Sequence, residues 1–112
     1  MKTSSCKNKA RVLQQAVATK ILEKYEDLHV NDVRSTPMGV SGVDIQLSEA
    51  AASLFPYSVE CKNQEKISIW KELQQTESDT KERDLIPLLV FKRNRSKVYC
   101  ALEFETFLKL IK

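Results

Sequence analysis

The sequence is poor in the residues that build metal clusters, disulfide frameworks and histidine-based hydrolytic sites. Its 112 residues include one histidine, His29, and three cysteines, Cys6, Cys61 and Cys100. The cysteines are scattered, odd in number and never spaced as Cys-x-x-Cys, so neither a structural zinc site nor a disulfide framework is expected. A lone histidine argues against hydrolases that use histidine pairs, and we expect His29 at the surface or at a strand end.

Long hydrophobic runs are also missing. No apolar stretch approaches about 20 residues, the length that a membrane span requires, and residues 1–9 lack the apolar core of a secretory signal. Together with the cysteine pattern, these absences predict a cytoplasmic protein. A chain of 112 residues, 42% hydrophobic and 29% charged, predicts a single domain over residues 1–112. The net charge of +3 permits a nucleic-acid partner without requiring one.

What the sequence does contain is a pair of strand-like runs with alternating apolar and polar residues. The run over residues 43–47 puts Asp44 on its polar side, and the run over residues 57–64 does the same with Glu60 and Lys62. Because successive strand side chains point to opposite faces, Glu60 and Lys62 share a face, about 6.6 Å apart along the strand. If the two strands are neighbours, Asp44 joins them, and two carboxylates and one ammonium group lie together.

The order of these residues resembles the D…ExK signature of the PD-(D/E)xK nuclease superfamily: Asp44, a short connector, then Glu60-Cys61-Lys62. Val43 stands where that signature often has proline. The surrounding order of elements is similar to that of small phage nucleases and archaeal-type Holliday junction resolvases, over roughly residues 7–104. The resemblance implies an α/β, restriction-endonuclease-like fold, in which a central mixed β-sheet is flanked by helices and the core order is αβββαβ.

The resemblance also implies a metal-dependent chemistry. Asp44 and Glu60, with the backbone carbonyl of Cys61, would hold Mg²⁺, for which Mn²⁺ is expected to substitute. Lys62 would lie beside the attacking water, where it either stabilises negative charge or accepts a proton. The alternative that needs no function is an ordinary cross-strand charge pair.

Many relatives carry a metal-binding glutamate on the first helix, but this chain has Gln14 and Gln15 at that place. We expect one of the two glutamines to face the site as a catalytic residue. The first helix, expected over residues 7–26, carries Lys9 and Arg11 on its polar face. Either these cations form a solvated face or they contact phosphate groups.

Two loops are further candidates for DNA contact. The chain's two glycines both fall within residues 35–42, either for turn geometry alone or because the loop presents amides and hydroxyls, including that of Thr36, to a phosphate. Residues 92–97 hold four cations, which are either soluble surface or backbone contacts. The candidate DNA-contacting residues are Lys9, Arg11, Arg34, Ser35, Ser41, Asn63, Gln64, Lys92, Arg93 and Arg95.

The remaining pattern predicts further elements. Strands are expected over residues 29–34, 86–91 and 98–102, the second of them central and buried on both faces. Helical segments are expected over residues 48–55, with Ser48 as N-cap, and over 69–78 and 104–111. Trp70 is expected to be buried or partly buried rather than used for base stacking. The apolar stripe of the last helix either closes the core or pairs with another subunit.

The function expected from this sequence is a structure-selective DNA endonuclease that hydrolyses phosphodiester bonds, with Holliday junction resolution by a homodimer as the leading hypothesis. A nicking, homing or restriction-type endonuclease of the same fold is one alternative. A catalytically inactive DNA-binding module is another, and Gln14 and Gln15 in place of an acidic residue favour it. No organic cofactor and no membrane partner are expected.

Overall fold

A long helix, α1 (Thr3–Lys24), lies against strands of both β-sheets of the protein. The computed structural model describes residues 3–37, 39–40, 42–81 and 83–112, with side chains described from residue 6 onward. Helix α1 begins and ends slightly earlier than the periodicity predicts, and its buried face is formed by Leu13, Gln14, Ala18 and Ile21. Gln14 is a buried polar residue on this otherwise apolar face, so packing alone does not account for it.

The next elements form a small antiparallel sheet. Strands β1 (Val33–Ser35) and β2 (Ile45–Leu47) pair with Arg34 opposite Gln46. A 3₁₀ helix (Val30–Asp32) replaces the first half of the strand expected over residues 29–34, which makes that part of the prediction wrong. The cause is local: the Asp32 carboxylate accepts a hydrogen bond from the His29 amide at 2.7 Å, and this bond closes a turn.

Asp32 also fastens this turn to helix α2 (Glu49–Leu54). Ser48 caps the helix by accepting a hydrogen bond from the Ala51 amide at 3.1 Å, while its hydroxyl donates to Asp32 Oδ1 at 2.7 Å. The hydrogen bond from Ser48, followed by that from the His29 amide, lowers the pKa of Asp32. Ser48 is therefore the N-cap that the sequence predicts, and Asp32 has a structural partner.

The larger sheet is built from a β-α-β unit and a hairpin. Strands β3 (Tyr57–Asn63) and β4 (Ile86–Lys92) run parallel, and helix α3 (Ile69–Thr80) connects them. Strand β5 (Tyr99–Ala101) pairs antiparallel with β4, so β4 is central and the sheet is mixed. Because β3 and β4 are parallel, α3 begins at the same edge of the sheet at which both strands end.

The two sheets meet at β3. The amide of Asp44 donates to the carbonyl of Val59 at 3.2 Å, directly before β2 begins. Among the described residues, this backbone bond takes the place of a ladder between β2 and β3, so the strands divide into a two-stranded and a three-stranded sheet. The order α1, β1, β2, β3, α3, β4 confirms the mixed α/β arrangement and the αβββαβ core, with α2 inserted before β3.

Some of the large apolar residues form the core, whereas others are exposed at the surface. The core joins α1 to residues of both sheets, among them Val33, Ile45 and Val59. Trp70 is 81% exposed, so the prediction that it is buried is wrong. Within the described ranges, no helix combines the length and apolarity that a membrane crossing needs.

Helix α4 (Phe104–Leu110) does not close the core, because its apolar stripe faces outward. Phe104 is 69% exposed and Leu108 is 51% exposed. The sequence leaves two roles open for this stripe, closing the core or pairing with another subunit. The exposure of these side chains excludes the first role.

We predict that Ser48→Ala destabilises the fold by about 1 kcal/mol, since it removes both the helix cap and the link to Asp32. The measurement is the free energy of unfolding in urea. Ser53→Ala is the matched control, because Ser53 is an exposed serine of the same helix that bonds only the Ala50 carbonyl at 2.8 Å. It should stay within about 0.5 kcal/mol of wild type. Equal stability of the two variants would contradict the capping role.

Candidate active site

Two carboxylates meet where the two sheets join. Asp44 Oδ2 accepts a hydrogen bond from the Cys61 amide at 2.7 Å, next to Glu60 in β3. The Asp44 amide donates a hydrogen bond to the carbonyl of Val59, the residue on the other side of Glu60. The Asp44 side chain is therefore held against the Glu60 carboxyl group, and the two strand-like runs are neighbours.

Glu60 is a buried acid. It is 8% exposed, and burial is the largest cause that raises its pKa, to about 10. Hydrogen bonding with Asp79 and the negative charge of Asp44 raise the pKa further. Its Oε1 atom is buried and accepts no hydrogen bond from the described residues. A carboxyl group in this condition is costly to ionise unless a cation is nearby.

Asp79 is a site residue that sequence reasoning missed. It lies on α3, its carboxyl group is hydrogen-bonded to Glu60, and Gln75 Nε2 donates to Asp79 Oδ1 at 3.0 Å. A signal was present, because Glu72, Thr76 and Asp79 lie three or four positions apart and share one face of the helix. Thr76 is 1% exposed, so this polar face packs on the sheet rather than facing water.

Lys62 lies on the same side of β3 as Glu60 and points away from the apolar core. Its ammonium group is 3.6 Å from Glu72 Oε1, and the side chain is 34% exposed. Glu72 belongs to the polar face of α3 described above, so this helix contacts both Glu60 and Lys62.

A cleft of about 550 Å³ opens onto these groups. Gln14 lines it from α1: the residue is 5% exposed, and its Oε1 atom is buried and without a hydrogen-bond partner among the described residues. Gln15 is exposed and does not line the cleft. Of the two glutamines, the structure therefore brings Gln14 to the acidic pair and leaves Gln15 outside.

Cys61 contributes its backbone to this region and its side chain to the core. The side chain is 3% exposed within the hydrophobic cluster. Burial, followed by the charges of Asp44 and Glu60, raises the pKa of the thiol. The thiol is thus an unsuitable metal ligand, and the backbone is the part of Cys61 that can serve.

The donor set fits a hard divalent cation that retains water ligands. In the part of the chain that the structure describes, no three side chains of His, Cys, Asp or Glu converge as a closed metal cage. Mg²⁺ does not need one, because it binds one or two carboxylates and keeps several waters. The adjacent Asp44 and Glu60, with unpaired oxygens on Glu60 and Gln14, are donors of the right chemistry.

The residues proposed for DNA contact fall into three groups. Lys9, Asn63 and Gln64 line the cleft. Arg93 and Arg95 are exposed on the hairpin between β4 and β5, where Lys92 is half-buried. The others lie elsewhere: Arg34 is exposed on β1, Ser35 is half-buried there, and Arg11 is exposed and donates to Asn8 Oδ1 at 2.8 Å.

The backbone conformation explains both glycines of the loop that follows β1. Gly39 and Gly42 have φ angles of +85° and +108°, so the turn itself requires glycine at both positions. Thr36 is buried and its hydroxyl donates to the Val43 carbonyl, which makes it unsuitable as a phosphate contact. Ser41 lies outside the described residues.

A family model described as "Phage putative PDDEXK endonuclease" matches residues 7–112. No curated protein and no solved structure matches the chain.

The raised pKa of Glu60 predicts a specific dependence of stability on pH in metal-free protein. The folded state holds the Glu60 proton up to a pKa of about 10, whereas an ordinary glutamate releases it near 4.5. Because the folded state binds more protons in this window, the contribution of Glu60 to stability falls as the pH rises from about 4.5 toward 10.

Glu60→Gln removes the ionisation and keeps the shape, so we expect this variant to be more stable than wild type by about 1–3 kcal/mol at pH 8, the range for an uncompensated buried polar group. The gain should shrink at pH 5. Urea unfolding in EDTA at the two pH values measures it, with exposed Glu26→Gln as control. A variant that is less stable than wild type at pH 8 would show that the Glu60 carboxylate is already compensated.

Proposed function

Because the chain belongs to the family of phage PD-(D/E)xK endonucleases, we propose that it is a metal-dependent DNA endonuclease whose reaction takes place in the cleft beside Asp44, Glu60 and Lys62. The observation that supports this proposal is the contact of Asp44 with β3, which holds two carboxylates together while Glu60 Oε1 remains buried and unpaired. The proposed setting is the cytoplasm.

Asp44 and Glu60, with the carbonyl oxygen of Cys61, are the groups that we propose to hold Mg²⁺ or Mn²⁺. When bound, the cation supplies a water of lowered pKa and neutralises charge on the phosphate. Gln14 takes the place of an acidic residue: its buried, unpaired Oε1 can bind the ion or a water without adding negative charge.

We propose that Lys62 stabilises negative charge and that helix α3 positions the residues of the site. The Lys62 ammonium lies 3.6 Å from the Glu72 carboxylate. We propose that this ion pair orients Lys62 and that its positive charge stabilises the scissile phosphate. Asp79, itself held by Gln75 at 3.0 Å, positions the Glu60 carboxyl group. Helix α3 thus orients one basic residue, Lys62, and one acidic residue, Glu60.

The finer proposal is Holliday junction resolution by a homodimer. Each chain carries one D…ExK set, so two opposed incisions require either two chains or two visits by one chain, and we propose two chains. The outward apolar stripe of α4, with Phe104 69% exposed and Leu108 51% exposed, is the surface that supports self-association. Branched DNA is the proposed substrate. Nicking and restriction-type cleavage, and binding without cleavage, are the alternatives that the tests below distinguish.

Removal of a proposed catalytic residue should abolish cleavage and spare folding. We expect Asp44→Asn and Lys62→Ala each to lower the cleavage rate by at least about 10²-fold, the effect typical of losing one charge-stabilising group. The assay measures rates with Mg²⁺, with Mn²⁺ and with EDTA on a four-way junction, a linear duplex and a single strand.

Asp84→Asn and Lys71→Ala are matched controls, because both residues are exposed and outside the cleft lining. Both should cut as wild type does. Normal cleavage by Asp44→Asn or Lys62→Ala would refute the assigned roles. Binding without cleavage under both metals would identify an inactive module, and indiscriminate nicking would replace junction resolution with general endonuclease activity.

The homodimer is tested separately. Leu108→Glu places a charge on the α4 stripe and should convert a dimer to a monomer in light scattering, with paired incision reduced to single nicks. Leu54→Glu is the matched control, because Leu54 is 47% exposed on α2, close to the 51% of Leu108. A wild-type monomer at micromolar concentration, or a dimer that survives Leu108→Glu, would contradict this arrangement.

A further inference from the structure

A second concave surface lies directly beside the cleft. It is a groove of about 290 Å³ between the segment that joins β3 to α3 and the hairpin that joins β4 to β5. Its apolar side is formed by Ile67, Ile69, Phe91 and Tyr99. The rings of Phe91 and Tyr99 lie 6.3 Å apart at an angle of 32°, and Tyr99 is 56% exposed. The groove therefore offers an accessible aromatic surface.

Groove and cleft are parts of one continuous surface. Gln64 and Glu65 line both. The Gln64 amide donates to the Lys92 carbonyl at 3.1 Å, and the Asn94 amide donates to Glu65 Oε2 at 2.6 Å. These two bonds, made by residues two and three positions after Lys62, fasten the walls of the groove to each other.

The surroundings of the groove are aromatic and carry more cations than anions, and the one carboxylate in its lining, that of Glu65, already accepts a hydrogen bond from the Asn94 amide. Lys92 and Arg93 line it, and Lys66 lies in the segment that forms one wall. Trp70, which follows Ile69 on the first turn of α3, is 81% exposed. Aromatic faces stack on nucleobases, and neighbouring cations hold the phosphates of the same strand. A nucleotide fits this combination better than an apolar peptide does, because an apolar peptide offers the cations no charge.

A base inside an intact duplex cannot reach an aromatic floor, because both of its faces are covered by neighbouring pairs. We propose that this groove binds an unstacked nucleotide next to the scissile phosphate, so the substrates are DNA molecules with unpaired bases at the cleavage site, such as branch points. This inference rests on the proposed function, since it takes the cleft as the site of cleavage.

Trp70 is the single tryptophan of the chain and directly follows Ile69, which lines the groove, so intrinsic fluorescence reports on the immediate neighbourhood of the groove. The probe is an eight-nucleotide oligothymidylate, titrated in EDTA so that no cleavage occurs. We expect saturable quenching by this probe and by a four-way junction, and weaker quenching by a blunt duplex at equal phosphate concentration. Equal quenching by duplex and oligothymidylate, or none by either, would overturn the inference.

Variants locate the binding. Anisotropy of the labelled oligothymidylate should show about a tenfold or larger loss of affinity for Tyr99→Ala, as stacking of one base predicts, and near-normal affinity for Tyr99→Phe. Arg93→Glu, a substitution at an exposed residue of the hairpin, should also weaken binding. Val30→Ala is the control, because Val30 is 72% exposed outside the groove. Unchanged affinity in both Tyr99→Ala and Arg93→Glu would contradict the proposal.

Failure of this inference is separable from failure of the proposed function. Oligothymidylate binding without cleavage under any metal would leave the groove intact and refute the endonuclease proposal. Cleavage of a blunt duplex without quenching of Trp70 would do the reverse. A blue shift of Trp70 emission that depends on protein concentration in the absence of DNA would assign the surface to a second copy of the chain and overturn the inference.

Discussion

The hydrogen bond from the Cys61 amide to the Asp44 carboxylate, 2.7 Å long, is the contact on which the site depends. It fastens the small antiparallel sheet to β3 and, in the same step, sets one carboxylate beside another. An amide that β3 would otherwise offer to a neighbouring strand is used to orient a side chain. The result is a sheet junction at which two carboxyl groups lie side by side instead of a continuous ladder.

This arrangement is costly for the folded protein. Glu60 is buried, lies beside one acid and is hydrogen-bonded to another, and its pKa is raised to about 10 as a consequence. An amide or apolar residue of similar size at this position would avoid the penalty. Destabilising groups of this kind are expected where a ligand compensates them. The condition of Glu60 is therefore a physical argument for a cation that is independent of the family match.

Helix α3 shows how a secondary element can serve a site without contributing to the motif. Its polar face packs on the sheet, with Glu72 beside Lys62 and Asp79 beside Glu60. Gln75 fixes Asp79 in turn. The side chains that line the cleft are held by residues 10 to 19 positions further along the chain, so substitutions on this helix reach the cleft without touching its surface.

Much of the fold could be predicted from local pattern. Alternation along residues 57–64 placed Glu60 and Lys62 on one side of β3, because the period of side chains in a strand is fixed by backbone geometry. Alternation along residues 43–47 brought Asp44 next to them, although β2 begins only at Ile45 and Asp44 directly precedes it. The Ser48 cap was equally local. These features depend on a few consecutive residues, and a single sequence contains them.

The rest depends on contacts between distant segments. The exposure of Trp70 was not predictable, because burial depends on what packs against the residue and not on its type. The role of Asp79 required knowing that α3 turns its polar face to β3. The choice between Gln14 and Gln15 was a matter of the exact rotation of α1, which periodicity defines only to within a residue.

The central claim is that Asp44 and Glu60 form a cation site, and calorimetric titration of the protein with Mn²⁺ tests it most directly, without reference to any reaction. We expect saturable binding by wild type. The affinity should fall at least about tenfold in Asp44→Asn, an effect of the size seen when a metal site is perturbed, and should be unchanged in Asp84→Asn. Equal affinity for Mn²⁺ in wild type and Asp44→Asn, or no binding at all by wild type, would contradict it.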